Sequence, residues 1–185
     1  MKTQRGTTLM ELMITLSIAA ILMSIAVPSF QTFTRTNRIA AATNALSSAL
    51  QFARSEAVTR GKMVSVCPST NTETATPTCT AGASLTSGWL VFVDDGTRLT
   101  VDGTDVRLRV GMPSVAALTI EPAATLASGI SYGARGDVFK DPAETTATNR
   151  YINLTIDTEN RCILINFIGR VRIKPAACTP AEVDS

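Results

Sequence analysis

The 185-residue chain contains no histidine, a single tryptophan and a net charge of only +2 at neutral pH. Histidine is the commonest general base and the centre of the Ser-His-Asp triad, so its absence removes most hydrolytic and metalloenzyme mechanisms. The sequence also lacks a phosphate-binding glycine loop. We therefore expect no enzyme, no cofactor, no metal site and no small-molecule substrate. The small net charge does not by itself indicate a nucleic-acid partner.

Cysteine is also scarce, and the four that occur form no Cys-x-x-Cys pair: Cys67, Cys79, Cys162 and Cys178. Structural zinc sites usually draw their ligands from close pairs, so this spacing argues against zinc. An even number of widely spaced cysteines predicts two disulfides and an oxidising compartment. Three connectivities are open, of which the local pairing of neighbours along the chain closes the shortest loops.

Charge is missing altogether from one long stretch, between Leu12 and Thr34. As a helix, this stretch has roughly the ~20-residue length that crosses a ~30 Å hydrocarbon core. It follows a short basic segment, residues 1–6. A cleaved signal peptide is the alternative, with Ser24–Ala26 as its small-residue cleavage site. Against it stand the carboxylate of Glu11 at the start of the apolar run and the helical pattern that continues beyond the site.

Beyond Thr34 apolar residues recur at three- and four-residue steps from Ile39 to Ala57, which predicts an amphipathic helix over residues 35–60. Gly61 is the expected stop. Pro28 removes one backbone hydrogen bond from the apolar half, and we expect a bend there.

Residues 61–185 have the alternation and turn signals of a β domain. Strands are expected at five runs: Met63–Cys67, Gly88–Asp94, Asp105–Val110, Tyr151–Asp157 and Cys162–Ile168. The Thr-rich segment Ser69–Ser87 and the segment Asp141–Asn149 are expected to be surface loops, and the tail from Pro175 is expected to be irregular. The fold class is therefore α+β, with one long N-terminal helix ahead of a small β domain.

The N-terminus carries the most informative motif, Arg5-Gly6-Thr7-Thr8-Leu9-Met10-Glu11. It resembles the prepilin cleavage motif of type IV pilins and type II secretion pseudopilins. The resemblance implies that a prepilin peptidase cuts between Gly6 and Thr7 and methylates the new N-terminus. Glu11 then becomes the fifth mature residue, and Pro28 takes the place of the family's helix-kinking proline. Thr7 stands where the family usually has phenylalanine, a departure that concerns methylation more than cleavage.

The position of Glu11 also has a physical argument. A charged side chain inside a bilayer costs roughly 2.5–3.5 kcal/mol on insertion scales, so it persists where it has a partner or a function. In a filament the partner would be the N-terminal amine of a neighbouring subunit or of Thr7 itself. The alternative is that Glu11 lies at the membrane interface and is solvated by headgroups.

The β domain is similar to the GspH/FimT/FimU group of minor pilins and pseudopilins in the segments Val64–Ser69, Gly88–Asp94 and Gly169–Arg172. The resemblance implies a long pilin helix, membrane-spanning in its first half, packed on a small antiparallel two-sheet domain. It also implies a single-pass inner-membrane protein with a periplasmic domain, which then enters a pilus together with major and minor pilins. Its expected place is a tip complex that primes assembly. Type IV pilus and type II secretion system both remain open.

Near the C-terminus, the basic residues Arg170, Arg172 and Lys174 alternate with Val171 and Ile173. In a strand the three basic side chains would share one face, with the two apolar ones buried. FimT-like pilins that take up DNA carry a similar Gly-Arg-x-Arg motif, which makes DNA an alternative partner. The other interpretation is an edge strand that its charges keep soluble, because no aromatic residue interleaves the basic ones. Two further arginines would enlarge the ridge if the fold brought them near: Arg150 and Arg161.

Overall fold

The computed structural model describes residues 7–113, 115, 117–139 and 150–179. The expected leader 1–6, with Gly6 of the cleavage motif, lies outside the described residues, as does the loop expected at Asp141–Asn149. The chain divides into two compact units, residues 1–37 and 38–185. One helix, α1, spans Leu9–Arg60.

Helix α1 ends where the sequence predicts. Gly61 adopts a left-handed φ of 62°, and the Lys62 amide donates to the Ala57 carbonyl at 3.3 Å. A glycine in this conformation lets the chain leave the helix without a Cβ clash. Pro28 lies inside the helix, which continues on both sides of it. The bend expected there stays a prediction.

The described residues of the second unit form eight strands in two four-stranded antiparallel sheets. The strands are β1 Val64–Pro68, β2 Trp89–Val93, β3 Val106–Gly111, β4 Leu118–Pro122, β5 Ile130–Tyr132, β6 Tyr151–Ile156, β7 Glu159–Ile165 and β8 Val171–Lys174. The first sheet has the order β3-β2-β1-β5, and the second has the order β4-β6-β7-β8. Short 3₁₀ turns lie at Leu85–Ser87 and Ala124–Leu126.

The core of this unit is built by the second half of α1 and by both sheets. Ile39, Leu46 and Leu50 of the helix are buried together with Val91 of β2 and Ile163 of β7. They belong to the apolar stripe that the three- and four-residue spacing predicts. Each such burial stabilises the fold by roughly 1.5–3 kcal/mol. The expected α+β architecture, a long N-terminal helix and two antiparallel sheets, is confirmed.

Two disulfides close the local loops. Cys67 of β1 is joined to Cys79, which ties down the Thr-rich segment, and Cys162 of β7 is joined to Cys178. Of the three connectivities that the sequence leaves open, the structure has the local one. The second bond holds the irregular tail against the outer face of the second sheet, where Leu164 packs beside it.

The five expected strands correspond to β1, β2, β3, β6 and β7, with ends that differ by up to three residues. The sequence did not predict β4 or β5. β4 has a proline as its last residue, and β5 is only three residues long between Gly129 and Gly133. Their short runs carry too few alternating residues to be distinguished from loops.

Candidate functional site

The first candidate region is the apolar half of α1. Every large apolar side chain from Leu9 to Phe33 is more than half exposed. An 18-residue window of this helix has a mean hydropathy of 2.2, and none of it is buried. A helix that is apolar on all sides is stable when lipid or other apolar helices surround it.

Several hydroxyl side chains within this half are satisfied locally. The hydroxyls of Thr15, Ser17 and Ser24 donate to backbone carbonyls three or four residues earlier, at 2.7–2.9 Å. Such local bonds let hydroxyl groups enter hydrocarbon without leaving a donor unpaired. The helix composition is therefore compatible with a membrane or with the apolar core of a helical assembly.

The structure places Glu11 in the first turn of α1, which Thr8 caps. Thr8 precedes the first helical residue, and its Oγ1 accepts a hydrogen bond from the Glu11 amide at 3.3 Å. Thr8 and Glu11 have the Thr-x-x-Glu spacing of a capping box, in which a carboxylate also lies near the positive end of the helix dipole. The hydrophobic pattern does not predict this helix cap, although the Thr-x-x-Glu spacing in the sequence indicates it. An amine on Thr7 would lie at the same helix end.

The second candidate region is the basic strand β8, which is an edge of the second sheet. Arg172 lies opposite Leu164 of β7, and Lys174 lies opposite Cys162. Leu164 and Cys162 pack on the outer face of that sheet, so the two basic residues share the outer face, as alternation predicts. Arg170 is exposed and directly precedes the strand.

The apolar side of β8 differs from its prediction. Val171 is half-buried and packs against the core, but Ile173 is 40% exposed. The burial predicted for Ile173 is wrong: Ile173 lies opposite the core residue Ile163, but at this edge of the sheet the described residues cover it only in part. Ile173 instead lines an open groove of about 480 Å³ together with Phe52 of α1 and Arg109 of β3.

The two further arginines do not enlarge the ridge. Arg150 is only 6% exposed and lines a separate cavity. Arg161 lies opposite Leu154, a core residue, and therefore points to the other face of the sheet from Arg172. The burial of Arg150 and the sheet face on which Arg161 lies keep both residues away from the basic ridge. The sequence alone specifies neither.

The turn between β7 and β8 presents an aromatic residue that the sequence analysis overlooked. Phe167 is 70% exposed and lies three positions before Arg170. The turn is fixed from the helix, because Arg54 donates from Nη2 to the Ile168 carbonyl at 2.8 Å and from Nε to the Gly136 carbonyl at 2.9 Å. The aromatic ring and the basic residue are thus held on one ordered turn.

Two further properties of the described residues bear on chemistry: their capacity to hold a metal ion and the pKa of one buried carboxyl. Among residues 7–113, 115, 117–139 and 150–179, no group of three His, Cys, Asp or Glu side chains is placed to hold a metal ion. The buried carboxyl of Asp94 has its pKa raised by desolvation, against the lowering effect of the Ser65 hydroxyl that donates to it at 2.5 Å. Both groups lie inside the β domain, and their bonds are structural.

Comparison with known families gives two matches. Residues 42–169 match the family of the type II transport protein GspH, and residues 1–27 match the prokaryotic N-terminal methylation motif. The first match covers more than half of the chain. The second covers Gly6, Thr7 and Glu11. A search of curated protein sequences found no match.

Two crystal structures of the type IV minor pilin FimU from Pseudomonas aeruginosa (strain PAO1) have a similar fold. The structure in space group P21 has a TM-score of 0.56 at 20% identity and covers 82% of this chain and 98% of FimU. The structure in space group P65 has a TM-score of 0.50 at 18% identity and covers 77% of this chain and 98% of FimU. At identities this low, the structural similarity establishes only a shared fold, a long helix with antiparallel sheets.

Proposed function

The chain belongs to the GspH family of minor pilins and pseudopilins, which are structural subunits rather than enzymes, and we propose that it acts in the tip complex that primes assembly of a type IV pilus. The observation that carries this proposal is the apolar half-helix, exposed on all sides and preceded by a Gly6–Thr7 junction. A type II secretion pseudopilus is the alternative assembly, and it would use the same half-helix.

In this proposal the chain has four functional segments. Residues 1–6 are a leader that prepilin peptidase removes, and residues 7–34 span the inner membrane and later enter the filament core. Residues 35–60 are the amphipathic half of the helix, and residues 61–185 form the disulfide-bearing domain in the periplasm. Disulfides are expected in that compartment because it is oxidising.

During assembly, the apolar half-helix moves from the lipid bilayer into contact with the helices of other subunits. Cleavage after Gly6 creates an amine on Thr7, which pairs with a Glu11 carboxylate of the same or a neighbouring subunit. The apolar side chains leave lipid for the helices of other major and minor pilins. Lipid is already apolar, so packing and the polar pair at Glu11 supply the preference for neighbours. Pro28 is proposed to set the bend that lets the two helix halves meet different surroundings.

The test of the assembly role is substitution of Glu11. Glu11→Ala should insert in the membrane and fold, yet fail to enter filaments, as judged from sheared-filament and membrane fractions. Glu56→Ala is a matched control, because Glu56 lies on the same helix and forms an ion pair with Arg60 at its surface. Filament incorporation of Glu11→Ala at the level of the control would show that the pairing role is wrong.

The priming role needs a separate measurement. Loss of a priming subunit should lower the number of filaments per cell while leaving the length of the remaining ones unchanged. Antibody against the β domain should label one filament end. Uniform labelling along filaments, or an unchanged filament number in a deletion strain, would contradict the tip assignment.

DNA uptake is a second candidate function, supported by the exposed Arg170 and Arg172 next to the exposed Phe167. Arginines can neutralise phosphates, and an exposed ring can stack on an unpaired base. If the turn and strand bind duplex DNA, affinity should fall with salt at a log–log slope of about −0.9 per phosphate contacted.

The DNA test uses the full chain in detergent and fluorescence anisotropy with labelled DNA at low salt. Arg170→Ala with Arg172→Ala should abolish binding, whereas Arg60→Ala with Arg107→Ala removes the same charge elsewhere and should preserve it. No binding by the unmodified protein, or an equal loss in both double variants, would eliminate this function without affecting the assembly proposal.

A further inference from the structure

A cavity of about 150 Å³ lies apart from β8, between strand β5, the 3₁₀ turn Ala124–Leu126 and the loop that follows β2. Cavities of this volume hold a molecule as large as benzene. Its wall includes two arginines, Arg98 and Arg150, together with Phe139 and the hydroxyl-bearing residues Ser128 and Ser131. None of its described lining residues is acidic.

The two arginines differ in their surroundings. Arg150 is 6% exposed, so the residue is almost fully buried where it lines the cavity. The Arg98 guanidinium lies over the Phe139 ring, 5.1 Å from its centroid, in a cation–π contact that orients the fork. Each guanidinium has five N–H donors, so contacts within the chain are compatible with additional hydrogen bonds to a ligand.

The backbone beside Arg98 is strained. Leu99 adopts a left-handed φ of 61°, which costs on the order of 1–3 kcal/mol for a non-glycine residue. The strained conformation is fixed because the Leu99 amide donates to the buried Asp94 carboxylate at 2.8 Å. Gly129 faces it so closely that a Cβ there would lie 2.8 Å from Leu99 Cδ2. Strain held in this way is typical of preorganised binding sites.

The polar wall of the cavity is also ordered. Ser131 Oγ lies 2.7 Å from Ser65 Oγ, and Ser65 donates to Asp94. Asp94 interacts electrostatically with Arg98 and offsets part of its charge, but it is not in the cavity wall. The wall itself therefore presents two guanidinium forks, hydroxyls and one aromatic ring. Guanidinium forks match the geometry of carboxylate and phosphate oxygens.

We propose that this cavity binds an oxyanion group, a carboxylate or a phosphate, through Arg98 and Arg150. The chemistry is shared by an acidic side chain of a neighbouring subunit and by a phosphate-bearing small molecule. The site does not depend on Glu11 or on the basic strand, so it is a recognition site in addition to the assembly helix.

The experiment is an NMR titration of the detergent-solubilised full chain, with the arginine Nε–H signals observed at low salt. Inorganic phosphate and acetate are the two probes. We expect saturable shifts confined to the signals of Arg98 and Arg150. Saturation by phosphate alone assigns a phosphate site, and saturation by acetate assigns a carboxylate site that an acidic partner residue could fill.

Two variants locate the binding. Arg98→Gln should weaken the affinity about tenfold or more, the loss expected for one charge-assisted hydrogen bond. Arg98 is only half-buried, so this variant tests the site even if Arg150→Gln does not fold. Arg60→Gln removes the same charge from the exposed end of α1, outside the cavity wall, and should leave the affinity unchanged. Linear, unsaturable drift of all arginine signals, or an equal loss in Arg60→Gln, would overturn the proposal.

Discussion

Arg54 fixes the turn that carries Phe167 and Arg170, and its removal tests the β-domain account. Its guanidinium makes two charge-assisted hydrogen bonds, to the carbonyls of Gly136 and Ile168 at 2.9 and 2.8 Å. Bonds of this type contribute roughly 1.5–3 kcal/mol each, and partial exposure of Arg54 reduces that. Arg54→Met, which keeps the aliphatic stem, should therefore lower the free energy of unfolding by about 2–4 kcal/mol. The midpoint of thermal unfolding should fall by about 5–15 °C.

The assay is fluorescence of Trp89, the single tryptophan of the chain, which is buried in the core of the β domain. Its emission reports unfolding of that unit in detergent, where the apolar half-helix stays solubilised. Arg60→Met is the control, because it removes an exposed ion pair to Glu56 that is worth about 0.5 kcal/mol or less. A loss in Arg54→Met no larger than in the control would refute the assignment of Arg54 as the residue that holds the turn.

Three further predictions concern buried groups. The Tyr132 hydroxyl is buried with no hydrogen-bond partner among the described residues. Tyr132→Phe should therefore raise the free energy of unfolding by about 1 kcal/mol, measured by urea unfolding. A decrease would reveal a hydrogen bond to that hydroxyl. Burial raises the pKa of Asp94 above its usual 3.8, so the folded state binds this proton more tightly than the unfolded chain does. Stability should therefore rise as the pH falls from neutral toward about 4. Asp94→Asn should remove this pH dependence, and an unchanged profile would contradict its origin. Replacing Cys67 and Cys79 by alanine should lower the free energy of unfolding by about 3 kcal/mol, because the unfolded chain then loses the constraint of the closed loop. The same Trp89 fluorescence measures this loss, and a loss near zero would contradict the loop-closure argument.

The helix and most strands could be predicted from the sequence because their signals are local. The stripe from Ile39 to Ala57 has helical spacing, and the stop at Gly61 depends on one residue's conformation. Strand β2 is a continuous apolar run, β1 is apolar apart from Ser65, and both are buried along their whole length. Patterns of this kind need no knowledge of the rest of the chain.

The rest depends on contacts between distant residues. Ile173 has the alternation of a buried position, but at this edge of the sheet the described residues cover it only in part. The charge of Arg150 suggests that it belongs to the basic ridge, whereas the fold places it in a separate cavity. The turn that carries Phe167 is ordered by Arg54, which lies more than a hundred positions earlier in the chain. Strand order and burial decide these features, and one sequence does not specify them.

The central claim is that the N-terminal helix is processed and then used for assembly. The most direct test is intact mass and N-terminal sequencing of the protein extracted from the membrane. A chain that begins at Thr7, with or without a methyl group on its amine, is the result that we predict. A chain that begins at Val27 would show that an ordinary signal peptide had been removed, and the assembly account would then be wrong.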